Sequence, residues 1–122
     1  MNGGYWGFAA LAVMTVVVVA CDRGREEVSP GAIEVRGGEL YFDPVQLTVR
    51  AGEEVTVNLR NVGSDDHTWV VLGAGQWITT GEVSTLDEGS VTFTIDHPGA
   101  YRVICGVPGH REAGMEGTLI VE

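Results

Sequence analysis

The chain has 122 residues, 44% of them hydrophobic and 20% charged, which is the size and composition of one globular domain. Its 17 acidic residues outnumber 7 basic ones, all of them arginine, and the formal net charge is −10. This charge argues against a nucleic-acid partner, whose phosphates are bound by lysine and arginine, and it would suit a protein partner with a basic surface.

The chain begins with an apolar segment, residues 1–20, that carries no charged side chain. A segment of this kind is typical of an export signal. Its end, VVAC (18–21), resembles the lipobox of bacterial lipoproteins, in which the signal is cut before the cysteine and the thiol is lipidated. An uncleaved anchor and a secreted soluble protein are the alternatives, although residues 5–20 are short for the roughly 20 apolar residues of a membrane span. All three interpretations place the domain outside the cytoplasm, and the first two anchor it to a membrane through Cys21 or through the segment itself.

Residues 21–32 are polar and contain Pro and Gly, so they predict a linker before a domain of residues 33–122. Eight short segments of this domain are rich in β-branched or aromatic residues and are bounded by turn residues: 33–36, 39–42, 45–49, 54–59, 67–72, 90–95, 101–105 and 117–122. Eight such strands, with no helical period over twelve residues, predict an all-β sandwich. Residues 73–89 predict either one more short strand, around Trp77 to Thr80, or a long loop.

The segment CGVPGHREAGM (105–115) lies between the last two predicted strands and holds Cys105, His110 and Met115 at equal spacing. Its proline and glycines favour a compact loop at one end of the sandwich. A thiolate, an imidazole and a thioether on one loop can converge on a point. One cysteine, two histidines and a weak methionine form the ligand set of a blue-copper electron-transfer centre.

That ligand set requires a second histidine, and two candidates remain, His67 and His97. His67 opens a predicted strand directly after a turn, so it can face the same end of the sandwich as the 105–115 loop. His97 lies in a turn before the strand that leads to Cys105. About five residues at roughly 3.3 Å each then separate that turn from the thiol. We therefore expect His67 to be the ligand and His97 to be a surface residue at the opposite end.

Residues 33–122 resemble the cupredoxins, the blue-copper proteins of the plastocyanin, azurin, auracyanin, rusticyanin and sulfocyanin kind. The resemblance rests on three segments, LYFDPVQLTVRAGEEVTVNLRNVG, HTWVVL and PGAYRVICGVPGHREAGM. It implies a Greek-key β-sandwich, one copper ion per chain bound by His67, Cys105, His110 and Met115, and one-electron transport without enzymatic activity. Many members have Asn where this chain has Thr68, whose hydroxyl can still bridge the two ligand loops.

Other functions fit the sequence less well. Zinc is disfavoured because methionine is a poor zinc ligand. A Cys–His nucleophile would need an orienting third group and oxyanion donors, and the sequence assigns neither. The binuclear copper centre of cytochrome oxidase would need a second cysteine on the 105–115 loop. An extracytoplasmic copper chaperone or copper-storage protein remains the alternative. For the electron-transfer function we expect a monomer that meets redox protein partners.

Overall fold

The computed structural model describes residues 31–122, so the predicted signal segment, Cys21 and most of the linker lie outside the described residues. The described part contains nine strands: β1 (Ile33–Gly38), β2 (Tyr41–Asp43), β3 (Gln46–Val49), β4 (Glu54–Asn61), β5 (Val70–Val71), β6 (Ile78–Thr79), β7 (Glu88–Thr94), β8 (Gly99–Ile104) and β9 (Glu116–Val121). Within residues 31–122, no helix is long and apolar enough to cross a membrane.

The strands form two sheets, one in the order β2-β1-β4-β7 and one in the order β3-β9-β8-β5-β6. Both sheets are mixed, because β1 pairs with β4 and β3 pairs with β9 in parallel while the other pairs are antiparallel. Parallel neighbours cannot be joined by a tight hairpin, so the chain crosses between the sheets. The predicted all-β sandwich is confirmed.

The core lies between the two sheets and follows from the alternation of apolar and polar residues along each strand. In β3, Leu47 and Val49 are buried while the residues between them are exposed, as the two-residue period of a strand requires. Trp69 is the largest fully buried side chain, and its ring stacks on Phe93 with centroids 6.0 Å apart. Burial of each such side chain contributes about 1.5–3 kcal/mol, so the layer between the sheets dominates the stability of the domain.

The predicted and observed strands differ at several of their ends, and two of these differences lie near the end of the sandwich that carries His67. The predicted strand 39–42 begins two residues later, because Glu39 and Leu40 form the turn between β1 and β2, with Leu40 at a φ of 61°. The predicted strand 67–72 is reduced to β5, and His67 pairs only with Val83 in an isolated bridge. The uncertain stretch 73–89 contains β6, which is the short strand named as one of its two alternatives.

Strand directions bring four connections to one end of the sandwich. The β1–β2 turn and the β4–β5 connection lie together there, because β1 and β4 run parallel. The loop 84–87 joins them, since β7 starts opposite the last residues of β4. The loop 105–115, which follows β8 and precedes β9, completes this end, which we call the site end. The β7–β8 turn lies at the opposite end.

Candidate metal centre

The side chains predicted as ligands come from two connections at the site end. His67 lies on the β4–β5 connection, where its N–H donates to the carbonyl of Val83 at 3.1 Å and its own carbonyl accepts from the N–H of Val83 at 2.8 Å. These two hydrogen bonds fix the backbone of His67 although no continuous strand runs through it. Cys105 directly follows β8, so its position is set by the sheet.

The 105–115 loop is closed by hydrogen bonds within its own backbone. The N–H of Cys105 donates to the carbonyl of Met115 at 3.1 Å, and the N–H of Met115 donates to the carbonyl of His110 at 3.0 Å. Gly109 has a φ of 87° and Gly114 has a φ of 102°, a backbone region that glycine adopts at little cost. The equal spacing in the sequence therefore becomes a compact loop that returns the backbone of Met115 to that of Cys105.

Three potential donor atoms converge at the site end. The Cys105 Sγ lies 3.5 Å from the His110 Nδ1 and 4.0 Å from the His67 Nδ1, and the donor atoms of the three residues all lie within 4.8 Å of one another. The two imidazole rings are tilted at 57° with their centroids 5.2 Å apart. Both histidines therefore direct the same ring nitrogen toward one thiol.

The site is almost completely shielded from solvent. His67, Cys105 and Met115 are fully buried, and His110 is 9% exposed. Within the described chain Cys105 is a free cysteine, so its thiol is not consumed by a disulfide. Met115 belongs to the hydrophobic core, so its thioether is shielded from solvent. Water is thus largely excluded from the space between the donor atoms.

Thr68 joins the two connections that carry the candidate ligands. Its hydroxyl accepts a hydrogen bond from the backbone N–H of Gly106 at 2.7 Å. The bond links the residue after His67 to the residue after Cys105, so neither connection can move without the other. The expectation that this hydroxyl bridges the two loops is confirmed.

Asn61 was not singled out as a functional residue, yet it organises the connection that bears His67. It is 1% exposed, and its side-chain amide donates to the carbonyls of Asp65 at 2.7 Å and Val83 at 2.8 Å. Its side-chain oxygen accepts from the N–H of Gly63 at 2.9 Å. The sequence signal was its place as a polar residue ending a strand whose other inward positions are apolar.

Burial also sets the protonation of the site. Burial lowers the pKa of His67, and the neighbouring His110 lowers that pKa further. The imidazole of His67 is therefore neutral at neutral pH and keeps a lone pair for a metal. The outer nitrogen of His110, Nε2, lies 3.7 Å from a carboxylate oxygen of Asp65, a residue on the surface.

His97 lies on the exposed turn between β7 and β8, at the end opposite the site. Its carbonyl accepts a hydrogen bond from the hydroxyl of Tyr101 at 2.6 Å, which closes that turn. Its position agrees with the expectation that it is a surface residue.

The donor set fits copper better than the alternatives. A thiolate, two imidazoles and a thioether combine soft and borderline ligands, and these favour copper over the harder cations. A structural zinc site would need a fourth strong donor. A catalytic thiol would have to be reached by a substrate, whereas Cys105 has no exposed surface.

Comparison with known proteins agrees with this arrangement. The chain is 30% identical to auracyanin A of Chloroflexus aurantiacus, over 93% of each protein. A solved structure of auracyanin A, described as a "blue" copper protein, superposes with a TM-score of 0.66 and 28% identity over 75% of this chain and 98% of that one. The copper-resistant cuproprotein CopI of Rubrivivax gelatinosus is 29% identical over 94% of this chain and 70% of its own. The sequence model of the cupredoxin-like domain family matches residues 7–121, and the chain belongs to that family.

Proposed function

We propose that this protein transfers single electrons through one copper ion held by His67, Cys105, His110 and Met115. The observation that carries the proposal is the convergence of two Nδ1 atoms on one buried thiol. A copper ion in this position supplies a one-electron couple. The relationship to auracyanin A, a "blue" copper protein, supports the same conclusion.

Each side chain has a distinct role in the proposed centre. Cys105 would bind copper as a thiolate, the strongest donor, and the Nδ1 atoms of His67 and His110 would be the next two donors. Met115 would add a weak thioether donor, which favours the reduced ion relative to a harder donor. The Thr68 bridge and the loop hydrogen bonds hold these groups in place, so little rearrangement accompanies the change of charge.

We propose that electrons leave through His110, the one member of the four with exposed surface. Exposed apolar residues surround this end of the domain, and we call Leu40, Val62, Leu86 and Pro108 the apolar rim. Backbone hydrogen bonds hold two of these residues at the site end. The Val62 N–H donates to the Gly37 carbonyl at 2.8 Å, and the Leu86 N–H donates to the Asn61 carbonyl at 3.1 Å. A rim of this kind suits a small, transient contact with a redox protein.

The proposed partner is a redox protein with a basic surface, since the net charge of −10 would attract it over a distance.

We further propose that the domain works as a monomer outside the cytoplasm, in a membrane-associated electron-transport chain. The anchor would be a lipid on Cys21 or the uncleaved apolar segment. The mass of the mature N-terminus distinguishes them, because lipidation adds acyl chains to Cys21 and an uncleaved anchor retains Met1.

A second candidate, copper delivery or storage, is favoured by the relationship to the copper-resistant cuproprotein CopI. The burial of Cys105 and Met115 argues against it, because a metal that is handed on needs an accessible ligand. The rate at which a chelator removes Cu(I) from the protein separates the two functions. Electron transfer predicts slow removal together with fast electron exchange.

The first test is to load the protein with Cu(II). We expect one copper per chain, an intense visible absorption from the thiolate–copper bond, and reversible reduction by one electron. Loading with zinc is the control and should give a colourless protein. A protein that takes up zinc in preference to copper and stays colourless would contradict the proposal.

Substitutions of Met115 test its proposed role as a weak ligand of copper. Met115→Leu should keep the blue colour and raise the reduction potential, because an alkyl group donates less to Cu(II) than a thioether does. Met115→Gln should lower the potential, because an amide oxygen is a harder donor. Cyclic voltammetry of both variants provides the measurement. Potentials that stay at the wild-type value in both would make Met115 a core residue only.

A further inference from the structure

His67 has a second ring nitrogen whose surroundings are unusual. Its Nδ1 faces Cys105, while its Nε2 is buried and has no hydrogen-bond partner among the described residues. The Nε2 points at Gly63, where a Cβ atom would lie 2.9 Å from it. The same Cβ position would lie 3.2 Å from the Oε1 of Glu39. The carboxylate of Glu39 and the Nε2 of His67 therefore both border the space that glycine leaves open at position 63, without a hydrogen bond between them.

The Glu39 carboxylate is held firmly in this position. Its Oε1 accepts two hydrogen bonds of 2.6 Å, one from the backbone N–H and one from the hydroxyl of Ser64. Glu39 belongs to the turn between β1 and β2, whereas Ser64 belongs to the connection that carries His67. The pair therefore ties a turn of the first sheet to a ligand-bearing connection.

The same hydrogen bonds keep the carboxylate charged. The hydrogen bonds from the Ser64 hydroxyl and backbone N–H lower the pKa of Glu39. A negative charge fixed at this position would act on a metal ion bound by His67. Histidine ligands commonly donate their outer N–H to a carboxylate, which orients the ring and strengthens its donation.

Resting on the proposed copper function, we infer that Glu39 is a positioning residue for His67. It orients the connection through Ser64 and places a negative charge behind the ring. A negative charge stabilises the more positive oxidised centre, so Glu39 lowers the reduction potential. Gly63 takes part by leaving room for this approach, since a larger residue would separate Glu39 from the Nε2.

The test uses Glu39→Gln in the copper-loaded protein. Glutamine keeps the length of the side chain and an oxygen that can accept from Ser64, so only the charge is lost. Glu112→Gln is the matched control, because Glu112 is exposed as Glu39 is but belongs to the 105–115 loop and not to the turn hydrogen-bonded to Ser64. We expect a rise in midpoint potential for Glu39→Gln that exceeds the rise for the control. Ser64→Ala should raise the potential in the same direction by releasing the carboxylate.

A second measurement needs no copper. In the metal-free protein, the ¹⁵N resonance of the His67 Nε2 should shift in Glu39→Gln and stay in place in Glu112→Gln. Equal potentials for the two variants, or an unmoved His67 resonance, would overturn the inference while leaving the copper site intact. Wild-type protein that binds no copper, by contrast, would refute the proposed function itself.

Discussion

Cys105→Ser should abolish the visible absorption of the Cu(II)-loaded protein and weaken its copper binding by more than about 100-fold. Loss of a group that only orients a metal ligand already costs 10–100-fold in affinity, and here the strongest donor itself is removed. The serine hydroxyl is a harder donor and remains protonated at neutral pH, so it cannot replace the thiolate. Titration with Cu(II), followed by absorption and competition with a chelator, measures both effects.

The fold should survive this change. Cys105 is fully buried, but serine has nearly its volume, and its hydroxyl can hydrogen-bond the His110 Nδ1 that lies 3.5 Å from the sulfur. We expect a loss of about 1–2 kcal/mol in the free energy of unfolding, the cost of burying one more polar group. Circular dichroism should keep its β-sheet signal in the variant.

His97→Ala is the matched control, since it removes a histidine from the end opposite the site. It should leave colour and affinity unchanged. If His97→Ala removed the colour, the assignment of His67 would be wrong. A serine variant that stayed blue would mean that the thiolate is not a ligand.

The local part of this site was readable in the sequence. Cys105, His110 and Met115 share one loop, so their spacing alone predicted that they could meet. His67 required one further step, the argument that a residue at the start of a strand lies at an end of the sandwich. The structure brings His67, Cys105 and His110 together as expected. Whether all four side chains bind copper stays a prediction for the Cys105 and Met115 variants.

The remaining features depend on pairings between distant parts of the chain. Glu39 meets Ser64 because β1 and β4 are parallel neighbours, a register that the pattern of either strand does not contain. The period of two cannot locate the turn at Leu40 either, because leucine rarely adopts a positive φ. Likewise the length of the strand predicted at 67–72 was overestimated, since the apolar run after His67 is buried without being a continuous strand. Tertiary contacts decided these positions.

The second large effect is expected at the apolar rim. Leu86→Asp should slow electron exchange with the protein partner by about tenfold or more, which corresponds to about 1.4 kcal/mol of lost docking energy. Leu86 is 86% exposed, so its side chain contributes little to the core. Val107 would be a poorer choice, because it is half-buried and packs against the core. An unpaired carboxylate at a water-excluding contact must lose its hydration, and this cost falls on docking alone.

Leu86 suits this test for a second reason, its φ of 66°. Aspartate tolerates this backbone region better than leucine does, so the variant should be at least as stable as the wild type. Its absorption spectrum and reduction potential should hardly change, because no candidate ligand is altered. Stopped-flow measurement of electron exchange, beside voltammetry of the same samples, separates docking from the properties of the metal.

Trp77→Asp provides the control for the added charge. Trp77 is 82% exposed and follows Gln76, whose side chain donates to the carbonyl of Thr94 at the opposite end of the sandwich. Both variants exchange an exposed apolar group for a carboxylate, but only Leu86→Asp changes the rim. Equal exchange rates for the two variants would mean that electrons do not leave through His110.

The acidic surface should also make electron exchange faster at low ionic strength, because the attraction of a basic partner is then less screened. If the rate does not depend on salt, the net charge of −10 serves solubility and does not steer the partner.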